Sequence, residues 1–88
     1  MPKTSRLSPI RVREAFAKRL KQARESRFEH GAALAREIGV HPATYRRWVR
    51  GDVEPNLASL AKIIAATNVS AEFLIVGELP TASRREAK

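Results

Sequence analysis

Apolar positions recur at helical spacing along most of the chain between residues 9 and 76. The first stripe consists of Val12, Phe16, Leu20 and Ala23. A later one, the clearest amphipathic pattern in the chain, consists of Leu57, Leu60, Ala61, Ile64 and Ala65. No stretch alternates with the period of two that a half-buried strand requires, so the pattern predicts an all-α protein.

Helix start and stop signals divide this pattern into five helices. Ser8-Pro9 opens a helix over about 9–25, and Gly39 ends a short one over 32–38. Pro42 opens a third helix over 42–50, Asn56 and Asn68 bracket a fourth, and Ser70 caps a fifth over about 71–76. We therefore expect a compact five-helix domain over 9–78, with a flexible basic arm at 1–8 and a disordered tail at 79–88.

The amino-acid composition limits the kinds of function that the protein can have. Seventeen Lys and Arg against nine Asp and Glu give a net charge of +8 in 88 residues, which suggests a nucleic acid or an acidic membrane surface as partner. Twelve of these cations are arginine, which suits phosphates and guanine edges. The absence of cysteine excludes disulfides, thiolate zinc sites and cysteine nucleophiles. The basic amino terminus leads into no signal-peptide pattern and no apolar run could span a bilayer, so we expect a cytoplasmic, nucleoid-associated protein with no membrane partner.

Residues 31–50 carry the motif that points most directly to function. They predict two short helices that cross steeply, with the small residue Ala35 at the crossing and Gly39 in the turn. The inward positions are Leu34, Ile38, Val40, Tyr45 and Trp48. The outward positions of the second helix are Ala43, Thr44, Arg46, Arg47 and Arg50. A short helix with such a face fits the width of the B-DNA major groove.

The order of these motifs resembles a known family. The matching segments are 20–24, 34–40, 45–51, Glu54-Pro55, Leu57, Leu60, Ile63-Ile64 and 69–74. Together they resemble the phage-repressor and Cro type of helix-turn-helix domain, also called lambda-repressor-like or xenobiotic-response-element type. The resemblance implies a five-helix domain that binds operator DNA, usually as a two-fold homodimer on a palindromic site.

The resemblance also assigns roles to particular positions. It places Ala43, Thr44 and Arg47 where family members touch base edges. It places Arg46 and Arg50 beside phosphates, together with the helix starts near Gly31–Ala32 and Asn56–Leu57, where free amides and the helix dipole favour an anion on independent grounds. Two departures stand out. Gly31 occupies the position at the start of the second helix where many family members have glutamine. His41 replaces the Ser or Thr that often caps the third helix, and Pro42 replaces a polar residue that reads bases. We therefore expect fewer direct hydrogen bonds to bases in the groove.

Several assignments have plainer alternatives. Arg47 could contact phosphate or solvent instead of guanine, and Thr44 could touch a base, a thymine methyl or a phosphate. His41 could contact phosphate or be an ordinary turn residue. Tyr45 and Trp48 could stack on single-stranded bases, although their spacing favours the core. The amino-terminal cations could wrap the duplex or be a loose tail: Lys3, Arg6, Arg11 and Arg13. The candidate dimer contacts are Phe73, Ile75, Val76 and Leu79.

The favoured function is a sequence-specific double-stranded DNA-binding transcription regulator, most simply a repressor. The alternative is an antitoxin or adaptor whose main role is to bind a protein such as a toxin or RNA polymerase, with DNA secondary. An enzyme is not expected, because the chain has one aspartate, no phosphate-cradling glycine loop and no convergent acid and base pair. We expect no cofactor and no metal site, since His30 and His41 lack a third ligand at useful spacing.

Overall fold

A computed structural model describes residues 8–77, and all five predicted helices are present in it. They are α1 (Pro9–Glu25), α2 (Gly31–Ile38), α3 (Pro42–Arg50), α4 (Leu57–Thr67) and α5 (Ala71–Ile75). The described part of the chain is all-α, with no strand. The predicted arm with Lys3 and Arg6, and the predicted tail with Leu79, lie outside the described residues.

The helix ends are set by the residues that the sequence predicts. Oγ of Ser8, Oδ1 of Asn56 and Oγ of Ser70 each accept a hydrogen bond from a backbone amide three residues later, at 3.4, 2.8 and 3.0 Å. At the C-terminal ends, Gly39 and Asn68 adopt left-handed backbone conformations with φ of 76° and 62°. Glycine has no Cβ to clash in this region, and asparagine tolerates it better than most residues. Local chemistry therefore fixes where α1, α4 and α5 begin and where α2 and α4 end.

One apolar core joins all five helices. Its buried members are Phe16, Leu20, Ala23, Leu34, Ala35, Ile38, Tyr45, Trp48, Ile63 and Leu74. Leu20, Leu34, Ile63 and Leu74 have no exposed surface. Full burial of each such side chain contributes about 1.5–3 kcal/mol to folding. The predicted inward faces of α1, α2 and α3 are confirmed.

The predicted apolar stripe of α4 does not describe its buried face. The buried residues of this helix are Ile63 and Thr67. Of the predicted stripe, Leu60 and Ile64 are half-buried, whereas Leu57, Ala61 and Ala65 are exposed. Thr67 can enter the core because its hydroxyl donates to the carbonyl of Ile63 at 2.7 Å. That internal hydrogen bond hides the polarity of Thr67, so an analysis that counts only apolar residues places the buried face incorrectly.

Three arginines of α1 tie this helix to other segments of the chain. Arg13 donates to the carbonyl of Gly51 at 3.3 Å, and Arg19 donates to the carbonyls of Leu74 and Ile75 at 3.3 and 3.4 Å. Arg24 donates to the carbonyls of Phe28 and Glu29 at 3.0 and 2.8 Å. Arg11 and Arg13 are therefore not part of a loose tail, because both lie within α1 and Arg13 contacts Gly51 at the end of α3.

Candidate nucleic-acid interface

The inner side of α3 fixes how the helix is presented. Tyr45 and Trp48 are only 5% and 3% exposed, and their rings meet edge to face with centroids 6.3 Å apart. Both side chains belong to the core, as their spacing predicts. Because they are not accessible to bases, single-strand stacking on these two rings is excluded.

The outer side of α3 carries the predicted contact residues. Ala43, Arg46, Arg47 and Arg50 follow the i, i+3, i+4, i+7 spacing that places residues on one helix face. The three arginines are exposed, whereas Ala43 and Thr44 are half-buried. Thr44 lies at the edge of this face, closer to the core than the arginines. The structure thus brings all five predicted positions to one surface, which we call the α3 face.

His41 caps α3. Its imidazole Nδ1 accepts a hydrogen bond from the amide of Ala43 at 3.0 Å. The histidine thus performs the capping that Ser or Thr performs in many members of the family that the sequence resembles. With Nδ1 as an acceptor, the neutral ring carries its proton on Nε2, which leaves an N–H donor on an exposed residue at the start of α3.

Gly31 opens α2 because the ring of Tyr45 occupies the space beside it. A Cβ at position 31 would lie 2.5 Å from Cε2 of Tyr45, well inside van der Waals contact. The Tyr45 hydroxyl is buried and has no hydrogen-bond partner among residues 8–77. Burial raises the pKa of this phenol, and the nearby charge of Arg24 partly opposes the rise. The sequence shows that position 31 lacks the glutamine of many family members, but it does not show that the ring of Tyr45 fills the space beside this position.

Two helix starts offer backbone amides. At α2, His30 makes no side-chain cap, and the amides of Gly31 and Ala32 have no acceptor in the described chain. At α4, the Asn56 side chain satisfies the amide of Ser59, which leaves those of Leu57 and Ala58 without one. Such amides lie at the positive end of the helix dipole and favour an anion. These are the two helix starts that the sequence singled out.

The sequence did not predict the ion pair between Asp52 and Arg50. Oδ2 of Asp52 lies 3.1 Å from Nε of Arg50, and the two side chains are 54% and 63% exposed. The pair holds one of the predicted phosphate-binding arginines at the end of α3. An acidic residue two positions after an arginine, beyond a turn glycine, is the signal that could have found it.

The candidate dimer residues differ in exposure. Ile75 and Val76 are 39% and 47% exposed, whereas Phe73 is half-buried against the core. Ile75 lines an apolar groove of about 330 Å³. The other apolar residues of this groove are Pro9, Val12, Phe16, Pro55 and Leu60.

None of the helices in residues 8–77 combines the length and apolarity that crossing a membrane demands. The same residues contain no group of three His, Cys, Asp or Glu side chains placed to hold a metal ion.

Comparison with known proteins identifies the family. A helix-turn-helix family model matches residues 20–74. A protein of Haemophilus influenzae named as an uncharacterized HTH-type transcriptional regulator is 37% identical over 55 residues, which are 62% of this chain and 23% of the relative. The chain thus spans about a quarter of the length of that curated relative. No solved structure matches the chain significantly. The chain belongs to the lambda-repressor-like helix-turn-helix family of DNA-binding domains.

Proposed function

We propose that this protein is a sequence-specific double-stranded DNA-binding transcription regulator that inserts α3 into the major groove. The observation that carries the proposal is the arrangement of three exposed arginines on one side of a helix whose other side is locked in the core. An α-helix with its side chains is about 10–12 Å across, which fits the roughly 12 Å width of the groove. The packing of α3 in the core holds its exposed side chains in a fixed orientation, which hydrogen bonding to particular base edges requires.

Within the groove, we assign base recognition to Ala43, Thr44 and Arg47. Arg47 presents a planar fork that can donate two hydrogen bonds to O6 and N7 of guanine. Ala43 offers an apolar surface to a thymine methyl, and Thr44 adds a hydroxyl at the edge of the face. Pro42 has no amide proton to donate, so hydrogen-bonded recognition depends most on Arg47.

We assign the sugar-phosphate backbone to the residues around this helix. Arg46 and Arg50 supply charge, and His41 supplies its Nε2 proton. Gly31 and Ala32 at the start of α2, and the α4 start after Asn56, supply backbone amides. These contacts carry no sequence information but set the register of α3 on the duplex.

The regulator acts as a homodimer in this proposal. The exposed Ile75 and Val76, together with the half-buried Phe73 and with Leu79, would form a self-complementary apolar contact between two copies. Two copies would read half-sites of a palindromic operator about 34 Å apart, or a multiple of that distance. Occupancy of such a site would repress transcription, and the protein would act in the cytoplasm on the nucleoid. Sedimentation velocity tests this contact: Ile75→Glu should convert a dimer into a monomer, and an unchanged mass would place the contact elsewhere.

Selection of bound duplexes from a random library, followed by fluorescence anisotropy at about 150 mM salt, tests DNA recognition. We expect one enriched sequence. Arg47→Ala should weaken binding to it by about 1–3 kcal/mol and relax preference at one base pair. Arg50→Ala should weaken enriched and random duplexes alike. The proposal is wrong if no sequence is enriched, and the role of Arg47 is wrong if its variant lowers both affinities by the same factor.

A further inference from the structure

A basic cleft lies between α1 and the flank of α3. The two helices run antiparallel, since Arg13 near the start of α1 contacts Gly51 after α3, while Arg24 near the end of α1 lies beside Tyr45. Between these ends is a cleft of about 270 Å³. Its lining residues are Glu14, Ala17, Lys18, Lys21, Val49 and Arg50. We call it the α1–α3 cleft.

The two lysines of this cleft are available to a ligand. Lys18 and Lys21 are both exposed, and neither has an ion-pair partner within 4.0 Å in the described chain. The Glu14–Lys18 spacing favours an ion pair within the helix, yet this pair is not formed there. The side chains of Arg13, Arg19 and Arg24 donate to backbone carbonyls, whereas Lys18 and Lys21, like Arg11, are exposed.

The cleft adjoins the α3 face. Arg50 belongs to both, because it lines the cleft and lies on the same helix face as Arg46 and Arg47. Lys18 and Lys21 are separated by about 4.5 Å along the helix axis. Residues three apart on an α-helix lie on the same face, so both side chains can reach the same stretch of one strand. The opposing walls therefore offer Lys18 and Lys21, together with Arg50 in its ion pair with Asp52, to one stretch of backbone, and Glu14 is the one anion that lines the cleft.

We propose that the α1–α3 cleft is a binding site for the sugar-phosphate backbone of one DNA strand, with Lys18 and Lys21 as phosphate contacts. The site deepens the proposed function and rests on it, because the cleft meets a backbone only when α3 occupies the groove. An ammonium group is a compact point charge without the fork that reads base edges. The cleft should therefore raise affinity for every duplex equally and leave sequence preference unchanged.

The salt dependence of binding tests the site. Each phosphate contact contributes about −0.9 to the slope of log K against log salt, or roughly a 3.5-fold loss of affinity between 50 and 200 mM. Lys18→Gln and Lys21→Gln should each reduce the magnitude of the slope by about one unit, and the double variant by about two. Lys62→Gln is the matched control, because this exposed lysine of α4 lines a different cleft, with residues of the α2 end. Its slope should stay near that of the unmodified protein.

The outcomes separate this site from the wider proposal. If the unmodified protein enriches no sequence, the proposed function itself fails. If it does enrich one, but the double variant has the salt slope of Lys62→Gln, the cleft is not a backbone site. A loss confined to the enriched sequence would also overturn the inference, since phosphate contacts act on all duplexes. Glu14→Gln gives an independent check that does not remove a lysine: it should tighten binding to enriched and random duplexes alike, and weaker binding would contradict the site.

Discussion

The contact between Gly31 and Tyr45 makes a sharp prediction about stability. Position 31 is the first residue of α2, and its φ lies outside the left-handed region, so the backbone itself would accept alanine. Helix propensity even favours alanine over glycine, by at most about 1 kcal/mol. The Cβ of alanine, however, would lie 2.5 Å from Cε2 of Tyr45. The steric and conformational effects therefore oppose one another, and their magnitudes decide the sign.

The steric effect should dominate. Inserting a methyl group into a packed core typically costs about 1–3 kcal/mol, because neighbouring side chains must leave their preferred rotamers. Tyr45 has little freedom to move, since it is 5% exposed and packs against Trp48. We expect Gly31→Ala to lower the free energy of unfolding by about 1–2 kcal/mol. For a domain of this size, the corresponding fall in Tm is roughly 5–15 °C.

Urea denaturation of four proteins measures the effect: the unmodified chain, Gly31→Ala, Tyr45→Leu and the double variant. Leucine removes the ring edge, so the double variant should lose less stability than the sum of the single variants, by about 1 kcal/mol. Gly39→Ala is the matched control. Alanine at position 39 is strained by the φ of 76°, but no atom lies within 4 Å of the added Cβ. The loss of stability from Gly39→Ala should therefore add to that from Tyr45→Leu. The steric argument is refuted if the effects of Gly31→Ala and Tyr45→Leu on stability are also additive. It is refuted too if the Gly31→Ala variant is as stable as the unmodified chain.

Three further predictions follow from single contacts. Asp52→Asn should change the free energy of unfolding little, because the ion pair of Asp52 with Arg50 is exposed. The same variant should bind any duplex more tightly, as measured by anisotropy titration. In an Arg50→Gln background, the gain in affinity from Asp52→Asn should be smaller. Trp48→Ala should lower stability by about 3–5 kcal/mol through a core cavity, which circular dichroism melts would detect. Burial holds the pKa of the Tyr45 phenol above its ordinary value of 10.0, so the folded state keeps a proton that the unfolded state loses, and stability should fall as the pH rises past about 10. Tyr45→Phe should remove that fall, and an equal fall in both proteins would contradict it.

The sequence by itself determined the local structure of this protein. Helix starts at Ser8, Asn56 and Ser70 and helix ends at Gly39 and Asn68 were predictable, because each depends on hydrogen bonds and backbone angles within about four residues. The α3 face was predictable for a related reason. Helical periodicity alone separates the arginines from the two aromatic side chains, and the family's motif order supplied the expected roles.

The tertiary structure decided which faces and charges meet. The buried face of α4 depends on the hydroxyl of Thr67 bonding within its own helix, which the apolar pattern does not register. The division of α1 cations depends on how this helix crosses its neighbours, because an arginine reaches a carbonyl only where packing brings one near. The tertiary structure likewise brings Lys18 and Lys21 near Arg50, and Gly31 against Tyr45. The residues in these pairs are 14 to 32 positions apart in the sequence. Such pairs depend on crossing geometry that the whole core sets together, so periodicity and capping cannot specify them.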